Sequence, residues 1–289
     1  VRMFTISIDP VAFSLGPIEV RWYGILVAIS VAVVVLWSMR QIDMRRPNLP
    51  APADIAIAPV GIVSGIIGAK LVHVLERLDY YIQNPLAIFS GGGLAIYGGV
   101  LGATLGIWIY LKLSHQEKGL KHFGFFVDLV APGIILAQAI GRVGCTLNGC
   151  CHGRAAPDGF PWTLVYTNPN SACSIPGVPV YPTQPAEIIF ALAVFFVLLK
   201  IRKRLEPVEG SLFMVYLIIY SAWRIGLGYF RSTELFFISG LLSQAQIISI
   251  VVLAVCITLL VRMRLRFKAS AQKTGSGEDA SPPATLPAD

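Results

Sequence analysis

Seven long apolar runs constrain the fold of this chain more than any other feature of its sequence. They cover residues 20–39, 55–75, 93–111, 125–143, 185–199, 212–230 and 241–261. About 20 apolar residues are enough for a helix to cross the hydrocarbon core of a bilayer. Lipid offers the backbone no hydrogen-bond partners, and the runs are too long and too uniformly apolar for the strands of a membrane barrel. The pattern predicts an all-α integral membrane protein with seven transmembrane helices.

The composition agrees with a membrane protein and argues against a water-soluble enzyme. Of the 289 residues, 55% are hydrophobic and 13% are charged, whereas about a quarter of the residues in soluble domains are charged. Seven spans of roughly 20 residues use about 140 residues. The remainder suffices for loops and tails, and a large soluble domain is excluded.

The positions of the basic residues predict the orientation in the membrane. Most of the lysines and arginines that flank the apolar runs follow the first, third, fifth and seventh of them, and therefore lie on one side. These residues are Arg40, Arg45, Arg46, Lys112, Lys118, Lys121, Lys200, Arg202, Lys203, Arg204, Arg262, Arg264, Arg266, Lys268 and Lys273. The positive-inside rule then places the N-terminus outside and the C-terminus in the cytoplasm. Because the basic charge is explained by topology, we expect no nucleic-acid partner.

The chain divides into a membrane domain and a tail. Residues 1–268 form the predicted seven-span domain, with an extracytoplasmic loop at 144–182. Residues 269–289 are rich in Ala, Ser, Gly and Pro and cannot bury enough apolar surface to order themselves. We expect a disordered cytoplasmic tail.

Three arginines at the predicted outer ends of runs are the first candidates for chemistry. Arg142 ends the fourth run, and Arg224 and Arg231 lie seven residues apart at the sixth, a spacing that predicts one helical face. A guanidinium near hydrocarbon needs an anionic partner. A lipid phosphate fits its planar fork of donors. The alternative is that the arginines mark the interface or pair with Glu187 and Glu234.

Two glycine-rich strings lie at the same predicted depth as the arginines, at residues 91–99 and 141–154. Glycine permits turns with positive φ and lets backbone amides approach a ligand, so Gly98 and Gly99 are candidates for headgroup contact. Glycine also allows close packing of membrane helices. The sequence leaves both interpretations open.

Five motifs together resemble those of the prolipoprotein diacylglyceryl transferase family. They read RWYG at 21–24, GGGLAIYGG at 91–99, GRVGCTLNGCCHGR at 141–154, YPTQPAE at 181–187 and WRIGLGYFR at 223–231. The resemblance implies transfer of a diacylglyceryl group from phosphatidylglycerol to the thiol of a lipobox cysteine in a prolipoprotein. A thioether forms and glycerol phosphate is released. It also implies a multi-pass protein of the bacterial cytoplasmic (inner) membrane with an extracytoplasmic active site and no cofactor.

The resemblance carries over to individual residues. It implies catalytic roles for Tyr23, Arg142 and Arg224, with Tyr97 and His152 as further candidates. It also implies that a second set of residues contacts the substrate: Arg142, Arg224, Arg231, Gly98, Gly99, Asn148, Gly149, Gly153, Lys70, Gln184 and Glu187. Lys70 stands where the family usually has arginine. Residue types alone allow other roles, since Tyr23 beside Trp22 is typical of an interfacial anchor. Gln184 and Glu187 suit a helix N-terminus, and Lys70 can reach outward to the interface.

The chain departs from the family pattern at four polar positions. Tyr97 replaces a histidine, Cys145 and Cys150 replace an asparagine and a glutamate, and Gly228 replaces a glutamate. The acceptor thiol needs a base or a positive field to ionise. His152 is a candidate base, and the alternative is that this loop histidine hydrogen-bonds its own backbone.

The cysteines allow several further interpretations. On an oxidising side of the membrane, Cys173 is expected to form a disulfide with Cys150 or Cys151. Adjacent cysteines seldom both bind one zinc ion, so we expect no metal site from Cys145, Cys150, Cys151 and His152. A different function remains open, namely a membrane thiol oxidoreductase that uses Cys145, Cys150, Cys151 and Cys173, although the sequence has no CxxC pair. A third possibility is a catalytically inactive relative that binds phospholipid or lipoprotein.

Overall fold

Seven long helices coincide with the seven apolar runs. A computed structural model describes residues 3–16, 18–45, 51–89, 96–113, 123–232, 236–238 and 242–275. The long helices in this part of the chain are α1 (Trp22–Arg45), α2 (Ala51–Glu76), α4 (Ile96–Leu113), α5 (Phe123–Asn148), α6 (Thr183–Leu205), α7 (Ser211–Gly228) and α8 (Gln244–Gly275). A short helix α3 (Leu78–Gln83) and a 3-10 turn (Pro85–Phe89) follow α2.

Five helices in the described residues are long and apolar enough to cross a bilayer. They contain the segments Trp22–Gln41, Phe123–Asn148, Thr183–Leu205, Ser211–Gly228 and Gln244–Ala269. Helices α2 and α4 contribute shorter apolar stretches at Pro59–Leu75 and Gly98–Leu113. The protein is therefore a helical integral membrane protein.

Short strands, which the sequence analysis did not predict, connect the N-terminal segment to the loop between α5 and α6. Strand β1 (Met3–Ile6) pairs in parallel with β4 (Thr163–Tyr166). The side-chain amide of Asn170 also donates to the Asp9 carboxylate at 3.1 Å. The N-terminal segment and the α5–α6 loop therefore lie on the same side of the helices.

Two further strand pairs flank the helices. Strands β2 (Val11–Leu15) and β3 (Ile18–Arg21) form an antiparallel hairpin that leads directly into α1. Strands β5 (Phe236–Ile238) and β6 (Leu242–Ser243) pair just before α8. Both pairs are short and leave the protein predominantly helical.

Glycines allow α2 and α4 to pack with their backbones nearly in contact. A Cβ on Gly98 would overlap the carbonyl oxygen of Gly68, and a Cβ on Gly68 would lie 2.7 Å from the Cα of Gly102. Gly99 faces Ala69 in the same contact, with 3.6 Å from its ideal Cβ to the Ala69 Cβ. Gly98 and Gly99 take part in close helix packing, one of the two interpretations that their sequence allowed. Their contact with the headgroup stays a prediction.

Asp128 fastens the turn between α6 and α7 to the beginning of α5. Its two carboxylate oxygens accept the backbone N–H groups of Gly210 and Phe213, each at 2.8 Å. These groups belong to the N-terminal end of α7, where N–H groups have no partner within the helix. The turn therefore lies at the end of α5 opposite to the α5–α6 loop.

The last helix is longer than the sequence predicted. Helix α8 continues to Gly275, seven residues past the expected end of the membrane domain at Lys268. The rest of the predicted tail, 276–289, lies outside the described residues.

Candidate active site

A buried ion pair joins the end of α5 to the beginning of α6. Nε of Arg142 lies 3.0 Å from Oε2 of Glu187, and the two side chains are only 9% and 5% exposed. Arg142 lies in the C-terminal half of α5 and Glu187 lies in the second turn of α6, so the ion pair connects the two helices close to the loop between them. Glu187 therefore holds Arg142 in position instead of capping its own helix.

Helix α7 brings two more arginines to this ion pair. The buried hydroxyl of Tyr220 interacts electrostatically with Glu187 and with Arg142, Arg224 and Arg231. Arg224 follows Tyr220 by one helical turn, and both arginines of this segment are 7% exposed. Three guanidinium groups therefore converge around one tyrosine and one carboxylate.

Arg231 reaches this cluster by a route that the sequence analysis did not predict. We expected Arg224 and Arg231 on one helical face, but α7 ends at Gly228. Arg231 instead forms an antiparallel bridge with Gly153 of the α5–α6 loop. The arginines therefore approach from a helix and from an extended segment, and the loop fixes the second of them.

Buried polar atoms without a protein partner surround the ion pair. Both side-chain polar atoms of Gln138 are buried, as are Nε1 of Trp223 and Oγ of Ser221, and none has a hydrogen-bond partner among the described residues. Gln138 and Trp223 line a small cavity with Arg142 and Glu187. Buried polar groups are normally hydrogen-bonded, and this cavity, with a volume of about 10 Å³, has room for about one water molecule that can bind them.

Sequence reasoning missed Gln138 and Tyr220. The available signal was a glutamine inside an otherwise apolar run, four residues before Arg142 and thus on the same helical face. Tyr220 gave no such signal, because a tyrosine in an apolar run is equally typical of packing. Its position between the arginines depends on how α5, α6 and α7 pack together.

Gln184 connects α6 to the loop and thereby supports the site. Its Nε2 donates to the carbonyl oxygen of Cys150 and to the hydroxyl of Tyr166, both at 3.0 Å. Asn148, the last residue of α5, accepts the backbone N–H of Ala172 at 2.9 Å. Burial raises the pKa of Tyr166, so this hydroxyl stays protonated. Gln184 and Asn148 thus hold the loop, and Oδ1 of Asn148 is buried without a protein partner.

His152 is bound on both ring nitrogens and organises the loop. Nδ1 lies 2.8 Å from the carbonyl oxygen of Gly153, and Nε2 accepts the backbone N–H of Ser174 at 3.2 Å. The ring is 1% exposed. These contacts favour the neutral tautomer with its proton on Nδ1 and leave no ring nitrogen for a substrate. The geometry supports the local structural role and argues against His152 as the base.

Gly153 lets the loop pass close to the entrance of α6. A Cβ at this position would lie 2.5 Å from both the Cβ and the carbonyl oxygen of Tyr181. The next residue, Arg154, accepts the backbone N–H of Tyr181 at 3.1 Å and donates its own N–H to Phe230 at 2.8 Å. Any side chain at Gly153 would separate these segments and displace Arg231.

All five cysteines are free thiols, and three of them come together. The Sγ atoms of Cys145, Cys150 and Cys151 all lie within 4.8 Å of one another. The expected disulfide between Cys173 and Cys150 or Cys151 is not formed. Cys173 packs instead with Leu164 and other apolar residues of the loop, and burial raises the pKa of its thiol.

The thiol cluster lies beside the arginines. Nη1 of Arg142 is 3.8 Å from Sγ of Cys145. The pKa of Cys151 lies well below the ordinary thiol value, because the other two thiols of the cluster hydrogen-bond to it. The charges of Arg231 and Arg142 act in the same direction. The hydrogen bond to Cys151 and burial raise the pKa of Cys150, so the cluster accommodates one negative charge, on Cys151.

Tyr23 lies on the other side of the same cluster. An ideal Cβ on Gly144 would lie 3.3 Å from the Cα of Tyr23, so α1 packs closely on the end of α5. The Tyr23 side chain interacts electrostatically with the three clustered thiols and with Arg142. The structure thus places Tyr23 at the site.

The other candidates have different surroundings. Nζ of Lys70 is 3.4 Å from both the Tyr81 hydroxyl and the Ala87 carbonyl oxygen, and so binds the segment that follows α2. The side chain of Tyr97 and residues 91–95 lie outside the described residues. Gly228 leaves room for Gln246, whose Cδ would be 2.7 Å from a Cβ there, so a side chain at this position would require the end of the Gln246 side chain to move.

Comparison with known proteins identifies the family. The sequence profile described as "Prolipoprotein diacylglyceryl transferase" matches residues 10–262. The chain belongs to the prolipoprotein diacylglyceryl transferase family. The matched region contains every residue of the site described above.

Similar members of the transferase family come from several bacteria. A protein of Dehalococcoides mccartyi (strain CBDB1) is 44% identical over 91% of this chain and 96% of its own length. Proteins of Clostridioides difficile (strain 630) and Staphylococcus aureus (strain MSSA476) are each 35% identical, over 84% and 90% of this chain and 90% and 91% of their own lengths. All three are named phosphatidylglycerol–prolipoprotein diacylglyceryl transferase.

A methyl group at Gly153 tests how the loop holds Arg231 in this transferase. Because the Cβ would overlap Tyr181, we expect Gly153→Ala to loosen the bridge to Arg231 and expose the backbone after Arg154. Overpacking of this kind costs about 1–3 kcal/mol. Limited trypsin digestion of the detergent-purified protein should cut after Arg154 faster in the variant. Gly141→Ala, where a Cβ meets nothing closer than 3.8 Å, serves as the control. Equal cleavage rates in all three proteins would contradict this account of the loop.

Proposed function

We propose that this protein transfers the diacylglyceryl group of phosphatidylglycerol to the thiol of a lipobox cysteine in a prolipoprotein. The buried cluster of Arg142, Arg224 and Arg231 is the observation that carries the proposal. Family membership and the names of the relatives support the same reaction.

The charge of the cluster suits a phosphate diester. Three guanidinium groups and one carboxylate, Glu187, surround Tyr220, so the group has a net positive charge. Arginine binds phosphate oxygens with paired N–H groups. Gln138 and Trp223 place further buried polar atoms beside Arg142.

The reaction is a substitution at the glycerol carbon that carries the phosphate. The acceptor sulfur attacks this carbon, the carbon–oxygen bond breaks, and glycerol phosphate leaves with the electron pair. The arginines stabilise the charge on the leaving phosphate, a type of contact whose loss costs about 10²–10³ in rate. The proton of the acceptor thiol is released, and the nearby positive charges favour the thiolate.

An apolar cavity lies between the helices on the inner side of this site. It has a volume of about 280 Å³ and is lined by side chains of α1, α2, α4 and α5, including Val34, Ile66, Ala103 and Val130. Its walls are suited to an acyl chain, so a diacylglyceryl group held by its headgroup at Arg142 finds apolar surroundings in the bundle.

We infer that all seven long helices cross the cytoplasmic membrane, with the N-terminus and the α5–α6 loop outside. The pairing of β1 with β4 supports an even number of crossings between them, as α1, α2, α4 and α5 provide. Asp128 places the α6–α7 turn at the opposite end. The basic residues in the last turn of α6, Arg202, Lys203 and Arg204, support a cytoplasmic position for this end.

The role of the arginine cluster is tested by Arg142→Lys and Arg142→Ala. Lysine keeps the charge without the planar fork, so we expect both variants to lower the transfer rate by at least about 10²-fold. The measurement is mass spectrometry of a lipobox peptide incubated with purified protein in phosphatidylglycerol vesicles. The matched control is Arg204→Ala, an exposed arginine at the other end of α6. Transfer at the wild-type rate by Arg142→Ala would exclude the phosphate-binding role, and no transfer by the wild type would favour the inactive relative.

The proposed topology is tested with two single-cysteine reporters in a background whose native cysteines are replaced by serine. Asp158 is exposed in the α5–α6 loop and Lys203 is exposed at the end of α6. A maleimide that cannot cross membranes should label Asp158→Cys in spheroplasts and Lys203→Cys only in inverted vesicles. Labelling of both positions from the same side would contradict the assignment.

A further inference from the structure

The three clustered thiols form a preassembled set of soft ligands. Cys145 is buried at the end of α5, and Cys150 and Cys151 are half-buried in the turn that follows. Their Sγ atoms lie within 4.8 Å of one another. Sulfur atoms that bind one zinc ion at about 2.3 Å lie about 3.8 Å apart. Closing the cluster around an ion therefore needs a shift of about 1 Å.

The backbone explains how two adjacent cysteines can point to the same place. The sequence argued against a metal site because adjacent cysteines seldom both bind one zinc ion. Gly149 has φ +77°, and Cys151 has φ +61°, one of two positive values at non-glycine residues among those described. A left-handed conformation is costly for a residue with a Cβ and persists where its surroundings impose it, often at functional sites. This turn directs the Cys151 thiol towards Cys150 and Cys145.

The contacts of the turn keep this geometry in place. Gln184 is not a member of the cluster. Its side-chain amide donates to the carbonyl oxygen of Cys150 at 3.0 Å. Thr183 donates to the carbonyl oxygen of Cys151 at 3.2 Å. Both residues belong to the first turn of α6, so the two cysteines are bound to a rigid helix. Sites built on such supports need little rearrangement to bind an ion.

The charges around the cluster suit an anionic metal–thiolate centre. Three thiolates and a divalent ion have a net charge of −1. Nη1 of Arg142 is 3.8 Å from Sγ of Cys145, and Arg231 interacts electrostatically with Cys151. His152, the next residue, is not available as a ligand, because Gly153 and Ser174 occupy its ring nitrogens.

We propose that Cys145, Cys150 and Cys151 bind one zinc-class ion, and that its fourth position takes the thiol of the acceptor cysteine. The described residues contribute no fourth His, Cys, Asp or Glu to the group. Zinc sites with three protein ligands keep a position for water or substrate. The second half of this proposal rests on the proposed transfer reaction.

An acceptor thiol bound at the fourth position is ionised, as the transfer reaction needs. A thiol that binds zinc loses its proton, and this proton goes to solvent. The bound sulfur then forms the new bond to the glycerol carbon, and the carbon–oxygen bond to the phosphate breaks. Glycerol phosphate takes the electron pair and, in the end, a proton from solvent. The ion changes neither charge nor oxidation state.

The metal site is tested by titrating the reduced, metal-free, full-length protein in lipid nanodiscs with Cd²⁺. We expect thiolate-to-cadmium absorption in the ultraviolet that saturates at one equivalent. Cys145→Ser and Cys150→Ser should weaken binding by more than the roughly 10–100-fold that the loss of an outer-shell partner costs. Cys173→Ser and Cys256→Ser change cysteines outside the cluster and should bind as the wild type does. Gel filtration confirms that each variant is folded.

Four results would each overturn a part of this proposal. No saturable absorption by the fully reduced protein, or full binding by Cys150→Ser, would exclude the metal site. A lipobox peptide and its cysteine-to-serine variant are each added to the cadmium-loaded protein. If the two peptides leave the thiolate-to-cadmium absorption equally unchanged, the acceptor thiol does not bind at the fourth position. Undiminished transfer by the metal-free protein would also exclude the fourth-position role while leaving the transfer reaction intact. Absence of transfer under all conditions would contradict the proposed function without affecting the cadmium result.

Discussion

The ion pair between Arg142 and Glu187 is the contact on which the arrangement of the site depends. It joins the C-terminal half of α5 to the beginning of α6, at the end of the two helices that the α5–α6 loop connects. A buried charge that loses its partner destabilises a protein by about 3–5 kcal/mol, so the pair fixes the relative position of the two helices. The α5–α6 loop, the thiol cluster and the bridge to Arg231 are all built on these helix ends. Nε of this guanidinium contacts Glu187 and its Nη1 lies 3.8 Å from Sγ of Cys145, so Arg142 also connects the helix contact to the thiol cluster.

The loop converts this helix contact into a site with several functional groups. His152 and Gln184 bind backbone groups of the loop, and Gly153 allows it to approach Tyr181 closely. As a result Arg231, which follows the end of α7, reaches the same region as Arg224 within that helix. His152 has a residue type that is common in catalysis, but in this structure it positions the loop. The loop in turn positions the arginines that contact the substrate in the proposed reaction.

The sequence predicted the helices well, because hydrocarbon allows few alternatives to an apolar helix. The seven apolar runs, the role of the region around Arg142 and the family resemblance all followed from local patterns. The close approach of Cys145, Cys150 and Cys151 did not, because it depends on the left-handed backbone at Cys151. The cavity contact of Gln138 and the strand pairing of β1 with β4 also depend on residues that are distant in sequence. The local pattern at Gly98 allowed two interpretations, and the close packing of α2 and α4, one of the two, became visible only in the structure.

Native mass spectrometry of the purified protein with mixed lipids tests the central claim, that Arg142 binds the phosphate of phosphatidylglycerol. The wild type should retain phosphatidylglycerol in preference to phosphatidylcholine. Arg142→Lys should lose most of this preference, because lysine cannot reproduce the paired N–H contacts. Arg204→Lys, at the other end of α6, should retain it. An unchanged preference in Arg142→Lys would contradict the claim and place the headgroup elsewhere on the protein.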